Sequence, residues 1–295
     1  MLKKITVGVI NVTIHPHTKE LYIKLLKQAQ IVGAVPIRAS DAGMLCHVSE
    51  KNERVKSKSI KLVTGEIYKF TNIEIDGEWF HMTKEAMADE KELQHIEIPD
   101  EMKPNASKFS FCFYPEKHLL FYEGYYKGKN FSPYIALRFF ENLFNSKQIK
   151  GEFGQVEVTH IPDSQKVNEI IGAKHKKLLK LKFTRPNPDS LSEAERKFLR
   201  TMNDRNVAKI EQEYKSIEGQ DIEMDQELTQ LSRIAARNGE LLTKIVDHDG
   251  HPAELSTKSY PLIIKEYFDS DKTIQEYKFK LVVNSLISTV SKWLK

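Results

Sequence analysis

Asp247-His248-Asp249-Gly250-His251 concentrates in five residues the side chains from which metal sites and acid–base pairs are made. His248 and His251 would meet across a tight turn. Yet Asp-Gly is the dipeptide a hairpin turn demands, and polar flanks are ordinary there. No HExxH or comparable zinc spacing accompanies the run, so it reads as a turn and no metal ligand is assigned. A second run, Asp221-Ile222-Glu223-Met224-Asp225-Gln226-Glu227, holds four carboxylates, as a two-metal nuclease would need. Metal clusters usually gather acids from separate elements, whereas acids in one short segment suit a helix N-terminus. His15 and His17 flank Pro16 between a strand and a helix, a common home for solvated histidines. Cys46 and Cys112 are too few for a four-cysteine zinc site and too far apart for a redox CxxC pair. They read as buried, reduced thiols. No glycine-rich phosphate loop, nucleophile elbow or kinase signature occurs, and nothing calls for a cofactor.

The basic stretch from Lys174 to Arg185 is more informative. Lys174, Lys176, Lys177, Lys180, Lys182 and Arg185 fall within it and no acid does. As a strand from Leu178, it turns Leu179, Leu181 and Phe183 to a core and leaves Lys180 and Lys182 on the other face. Such a row neutralises phosphates and gains affinity by counterion release; it is also what a solvated sheet face guarded against edge pairing looks like. Tyr125-Tyr126-Lys127-Gly128-Lys129-Asn130-Phe131 interleaves aromatics with Lys127 and Lys129, the composition of a base-stacking or backbone-tracking surface. Nucleic acid, DNA or RNA, is the partner these residues predict.

These residues need elements to hold them. Residues 5–14 read as a strand buried on both faces, Val7 and Val9 on one, Ile10, Val12 and Ile14 on the other. From Thr18, Leu21, Leu25, Ala29 and Val32 recur at helical spacing until Gly33. Residues 37–82 turn to short strands, with 59–63 and 66–75 flanking Thr64-Gly65 and a hairpin turn at Asp76-Gly77. Residues 83–103 predict a short helix and a loop. Phe109, Phe111 and Phe113 alternate as a strand, residues 119–126 return, and Ser132-Pro133 opens a helix whose face is Ile135, Phe139, Phe140, Leu143 and Phe144. A strand at 155–161, a helix at 163–171 and a strand at 178–184 follow. Arg185-Pro186-Asn187-Pro188 breaks the chain. Ser192 with Glu195 then caps a charged helix running to about Tyr214, and a helix at 226–237 stops at Asn238-Gly239. Residues 241–246 and 252–256 form a hairpin around Asp249-Gly250. A last helix from Thr273 carries Phe279, Val283, Leu286, Val290, Trp293 and Leu294, a stripe that packs internally or against a partner subunit.

The fold class is thus α+β, with mixed or antiparallel sheets, helices packed on one face and a helix-rich C-terminal third. The chain divides into a β-rich region, residues 1–185 (separable at 103/104), and a helix-rich region with a β-hairpin, residues 186–295. Hydrophobic content of 40% is that of a globular protein. A net charge of +4 permits a local basic surface without resembling a histone-like binder. Met1-Leu2-Lys3-Lys4 opens no signal peptide. Residues 281–290 are interrupted by polar side chains and fall short of the ~20 apolar residues that cross a bilayer. A cytoplasmic protein without a membrane partner is expected.

Phe153-Gly154-Gln155-Val156-Glu157-Val158-Thr159, Lys182-Phe183-Thr184-Arg185-Pro186-Asn187-Pro188-Asp189, Asn238-Gly239, Ser256-Thr257 and Tyr260-Pro261 together carry a resemblance. The chain resembles a prokaryotic family catalogued as a domain of unknown function, members of which are linked to anti-phage defence. The family brings no assigned catalytic residues. In length and in its order of β-rich halves followed by helices, the chain is also similar to the group of the phage exclusion protein RexA. That likeness implies a homodimer binding DNA without sequence preference. The leading expectation is a non-enzymatic defence protein that senses or blocks phage replication through nucleic acid. Its rivals are a metal-dependent effector enzyme, such as a nuclease, and a sensor of a phage protein that uses the exposed helix after Ser192.

Overall fold

Strand β1 (Leu2–Thr13) alternates with period two, and both its faces are covered: Ile5, Val7 and Val9 point one way, Ile10 and Val12 the other. The computed structural model describes every residue except 17, 56–57, 74–76, 95, 186–192 and 294–295. Helix α1 (Lys19–Val32) begins where Thr18 accepts a bond from the Leu21 amide, and ends at Gly33 with φ +80°. Strands β2 (Val35–Arg38), β3 (Asp41–Val55) and β4 (Lys58–Thr71) follow. The expected break at Thr64-Gly65 is absent, because both residues lie inside β4. Gly65 is there for close packing: a Cβ would stand 2.6 Å from the Phe111 ring.

A short excursion comes next, with β5 (Phe80–His81), β6 (Ala86–Met87) and α2 (Glu90–Leu93), the last capped by Asp89. The Asp76-Gly77 turn falls partly outside the described residues. Strands β7 (Ser107–Tyr114) and β8 (Leu119–Glu123) lead to the small hairpin β9 (Tyr125–Tyr126) and β10 (Lys129–Asn130). Helix α3 (Pro133–Phe144) starts at the Ser132 cap with proline in its first turn, and α4 (Lys147–Phe153) extends it. Then come β11 (Glu157–His160), α5 (Ser164–Gly172) and β12 (Lys176–Thr184). The Pro186/Pro188 break and the Ser192 cap lie outside the described residues.

Helix α6 (Glu193–Asp204) is shorter than its charge pattern predicts. The chain turns at Asn206, φ +53°, and residues expected to continue the helix to Tyr214 form β13 (Lys209–Lys215) instead. Ile210, Gln212 and Tyr214 are half-buried between exposed charges, but only two of these three are apolar, so the alternation is faint in sequence. Helix α7 (Gln226–Arg237) stops at Asn238, and β14 (Gly239–Val246) with β15 (Pro252–Ser256) forms the expected hairpin. Strand β16 (Ile263–Asp269), which the sequence pattern does not announce, precedes α8 (Gln275–Trp293). The C-terminal third therefore mixes three helices with four strands among the described residues.

The pairings of the two principal sheets are all antiparallel. The larger sheet runs β11-β1-β8-β7-β4-β3-β2, with β16 sharing the outer edge of β1 with β11. Helices α1, α3 and α4 cover one face, and Phe139, Phe140, Leu143 and Phe144 are fully buried there. Each such side chain contributes about 1.5–3 kcal/mol by leaving water. Helix α8 covers the other face through Phe279, Val282, Val283, Leu286, Ile287 and Val290, so its stripe packs internally that far; Leu294 and the side chain of Trp293 lie outside what is described. The smaller sheet, β13-β12-β14-β15, is backed by α5 and α7. Among the described residues no helix is long and apolar enough to cross a membrane.

One row beneath α8 is polar. Cys46, Glu66 and Ser110 are cross-strand partners, and the Ser110 amide donates to Glu123 Oε2. Glu66 meets His47 Nδ1 at 2.9 Å, Lys108 Nζ at 3.0 Å and the Tyr68 hydroxyl at 3.0 Å. Burial would raise its pKa, but these bonds hold it below the ordinary value. Glu123 is 1% exposed, with Gln275 Nε2 as its other donor, and burial pushes its carboxyl up to about 7. The folded state therefore holds this proton more tightly than the unfolded chain. The associated stability is full below pH 4.5 and is lost as pH rises through 7. Glu123→Gln, which mimics the neutral acid, should gain on the wild type by about 3 kcal/mol between pH 4.5 and pH 8 in urea unfolding. Parallel pH profiles for the two proteins would show that Glu123 ionises normally.

Candidate functional site

Strand β12 divides its side chains as alternation requires: Leu179, Leu181 and Phe183 are buried against α7, and Lys180 and Lys182 stand on the opposite face. The neighbouring strands change what that means. Glu213 and Glu211 of β13 lie opposite Lys180 and Lys182, and Glu240 of β14 also lies opposite Lys182. Lys180 Nζ reaches Glu211 at 3.1 Å, and Lys182 Nζ reaches Glu240 at 3.2 Å. Opposite charges across a ladder stabilise it and leave less field for an outside anion. Lys176 is 2% exposed; its ammonium donates to the Ile171 and Ala173 carbonyls at the end of α5, and burial lowers its pKa. Lys177 pairs with Asp221 at 2.7 Å, and Arg185 donates to Asn203 Oδ1. Lys174 is exposed and has no ion-pair partner among the described residues. Three of the six cations in a stretch with no acid in sequence, Lys177, Lys180 and Lys182, are thus matched by acids from elsewhere, and Lys176 and Arg185 by neutral oxygens.

Lys127 and Lys129 belong to a different place. Lys127 and Gly128, φ +41° and +83°, make the two-residue turn between β9 and β10, the left-handed pair this tight hairpin requires. Lys127 lies 5.3 Å from the Tyr126 ring centre and Lys4 lies 4.8 Å from that of Tyr125, so these aromatics carry cations already. The hairpin packs beside β1 and β7 of the larger sheet, and among the described residues its strands pair with each other and not with the sheet of the lysine row.

The acidic runs behave as local structure. Asp225 caps α7 through the Leu228 amide, and Asp221 answers Lys177 and His175. Asp247 Oδ1 accepts from the Asp249 and His251 amides, which is the turn itself. Asp247, Asp249 and His251 bring ligand atoms within 4.8 Å of one another, but on an exposed loop whose own bonds account for the geometry. His17 lies outside the described residues. Burial pushes the Cys112 thiol up to about 12, which leaves it inert.

What folding assembles is a cleft of about 250 Å³ where the β11 edge of the larger sheet meets the smaller sheet. Residues from four of the five quoted motifs line it: Glu157 to Thr159, Lys182 to Thr184, Gly239 and Thr257. The fifth adjoins it, for Pro261 bridges to Pro162, which lines the cleft, and the Tyr260 carbonyl accepts a bond from the Asp163 amide. These residues form a joint. Asn238 ends α7 and its carbonyl receives the Thr184 amide and hydroxyl, while Thr257 Oγ1 accepts from the Leu241 amide. At Gly239 a Cβ would lie 2.1 Å from the Lys182 carbonyl oxygen, so only glycine lets β12 and β14 approach.

The charges inside the cleft are ordered. Glu240 is 6% exposed and meets Lys182, Lys258 at 3.0 Å and the Ser256 hydroxyl at 2.9 Å. Burial alone would raise its pKa, but those partners keep it low. Lys209 pairs with Glu157 at 3.4 Å, and burial raises the Glu141 carboxyl. Burial pushes the His160 imidazole down to about 4, so it is neutral at pH 7. Its Nδ1 and Thr159 Oγ1 are shielded from solvent without a hydrogen-bond partner among the described residues. The arrangement presents three ammonium groups over carboxylates, suited to holding a polar or anionic group.

The sequence motifs do not point to the cations beside this cleft. Arg196, Lys197 and Arg200 on α6, and Arg205 after it, are exposed and have no acid partner among the described residues. Arg196 and Arg200 share a face at i, i+4, a spacing legible in a segment that otherwise reads only as charged. The Arg185–Asn203 bond and Lys209 connect α6 to the rim of the cleft.

Fold and site together define a layered antiparallel α+β protein with a charged joint between its sheets. Residues 3–287 match the family described as a domain of unknown function, DUF4747, and the chain belongs to that family. No curated protein matches the chain.

Gly239→Ala should cost about 3 kcal/mol in urea unfolding, because the new methyl meets backbone rather than a movable side chain. Gly172→Ala, which enters open space at the end of α5, should leave stability within about 1 kcal/mol of wild type. Equal midpoints for the two variants would show that the joint relaxes around residue 239.

Proposed function

We propose that this protein acts in defence against phage, without catalysis, by gripping nucleic acid through its phosphates along the outer face of α6 and the adjoining rim of the cleft. The observation that carries this reading is the set Arg196, Lys197, Arg200 and Arg205, without acid partners among the described residues, beside Arg185 and Lys209. Arginine suits the role, since its planar fork bonds phosphate oxygens in pairs and never loses its charge. Phosphates carry no sequence information, so DNA of any sequence is the expected ligand. Lys180 and Lys182 become supporting residues whose charges hold the smaller sheet together. The defence role is supported by the resemblance carried by the motifs that build the cleft.

Fluorescence anisotropy with labelled duplexes of unrelated sequence, at several salt concentrations, tests the reading. Wild-type affinity should fall with salt at a log–log slope of about −0.9 per phosphate neutralised. Arg196→Glu/Arg200→Glu should weaken binding to every duplex alike and make the slope shallower by about 2. Lys180→Gln, which removes a charge already paired with Glu211, should bind nearly as wild type. Unchanged affinity and slope in the arginine variant would end this assignment.

A further inference from the structure

Residues 77–103 hold eight acids and three lysines, a net charge of −5 within a chain whose total is +4, so the remainder carries +9. This segment leaves the larger sheet after β4 and returns at β7. Its base is tied by Thr71 N to the Pro104 carbonyl and by Asn72 N to the Ser40 carbonyl. Within it Glu92 is occupied, pairing with Lys84 and His81 and bonding the Asp89 amide. Glu78, Glu85, Glu90, Glu97, Asp100 and Glu101 are exposed and without a cation partner among the described residues.

The same arm exposes apolar side chains. Phe80 (60%) and Met87 (57%) are cross-strand partners, and Met82 (82%) and Met102 (63%) are more exposed still. Methionine adapts to irregular partners and is enriched at binding surfaces. Acids around exposed methionines call for a surface that is cationic and carries aliphatic carbon. Arginine and lysine offer both, because their stems cover apolar groups while their heads stay charged.

The basic face of α6 is such a surface, but not for its own arm. The arm's base touches the β2–β3 turn, towards one edge of the larger sheet, whereas α6 belongs to the smaller sheet beyond the β11 edge. No hydrogen bond or ion pair joins them among the described residues. Two copies can satisfy both surfaces at once about a two-fold axis, each arm on the other's α6. We propose that the arm of residues 77–103 docks on the α6 face of a second copy, forming a reciprocal, charge-matched dimer. Docking itself is independent of nucleic acid. Its further consequence, that arm and phosphates compete for one face, rests on the function proposed above.

Sedimentation velocity of the full chain over a concentration series, at low and high salt, tests the docking. The wild type should dimerise at low salt and dissociate as salt screens the contact. Arg196→Glu/Arg200→Glu and Glu85→Lys/Glu90→Lys should each, alone, raise the dimer dissociation constant on the order of hundredfold, since each removes most of the charge from one side of the contact. Circular dichroism checks that both variants are folded. An equimolar mixture of the two should associate more tightly than either variant alone, because the unchanged arm of one meets the unchanged face of the other. A monomeric wild type at low salt, self-association of either variant at wild-type strength, or a mixture that stays monomeric would overturn the proposal. A wild-type dimer in a protein that binds no DNA would refute the proposed function and leave the docking standing.

Discussion

Antiparallel pairing along β1 is the constraint on which the rest of this structure depends. One side of the strand pairs with β8; the other is shared by β16 over residues 2–8 and β11 over residues 10–13. The N-terminus, the middle and the C-terminal third of the chain therefore meet on a single strand. Both its faces are apolar, and each fixes one layer, α1 with α3 and α4 on one side and α8 on the other. A slip of one residue would exchange Ile5, Val7 and Val9 with Ile10 and Val12 and misplace both layers together. Gly8 adds a local condition, because a Cβ there would strike the Tyr122 ring at 2.3 Å.

The second organising force is the sorting of charge. In the smaller sheet, lysines and glutamates alternate across strands, so a strand rich in cations ends up nearly matched. On α6 the arginines face outward without an acid partner among the described residues, and on residues 77–103 most acids likewise lack a cation. Matched charges serve the fold, and unmatched ones leave a field at the surface. A net charge of +4 conceals this separation, since it sums two surfaces of opposite sign.

The joint between the sheets shows why particular residue types recur there. Glycine at 239 permits contact between two backbones, asparagine at 238 ends one helix and binds a strand, and threonine at 257 supplies an acceptor to a buried amide. Each solves a packing or hydrogen-bonding problem. The cleft that results carries its lysines on carboxylates, which orients them in a partly dry setting.

The sequence by itself determined the features whose causes lie within a few residues. Alternation specified β1 and the inward side of β12, caps at Thr18, Ser132 and Asp225 opened three helices, and Asp249-Gly250 closed a hairpin. The wide apolar face of α3 announced its burial. Interactions of longer range decided the rest. Glycine at 65 looked like a turn because its reason is a phenylalanine 46 positions away in sequence. Residues 209–215 looked helical because the strand that makes them a sheet comes from 176–184. Lys180 and Lys182 looked free because their acids stand on other strands. Periodicity and capping are properties of neighbours along the chain, whereas charge pairing, pKa and cleft formation depend on which distant segments the fold places side by side.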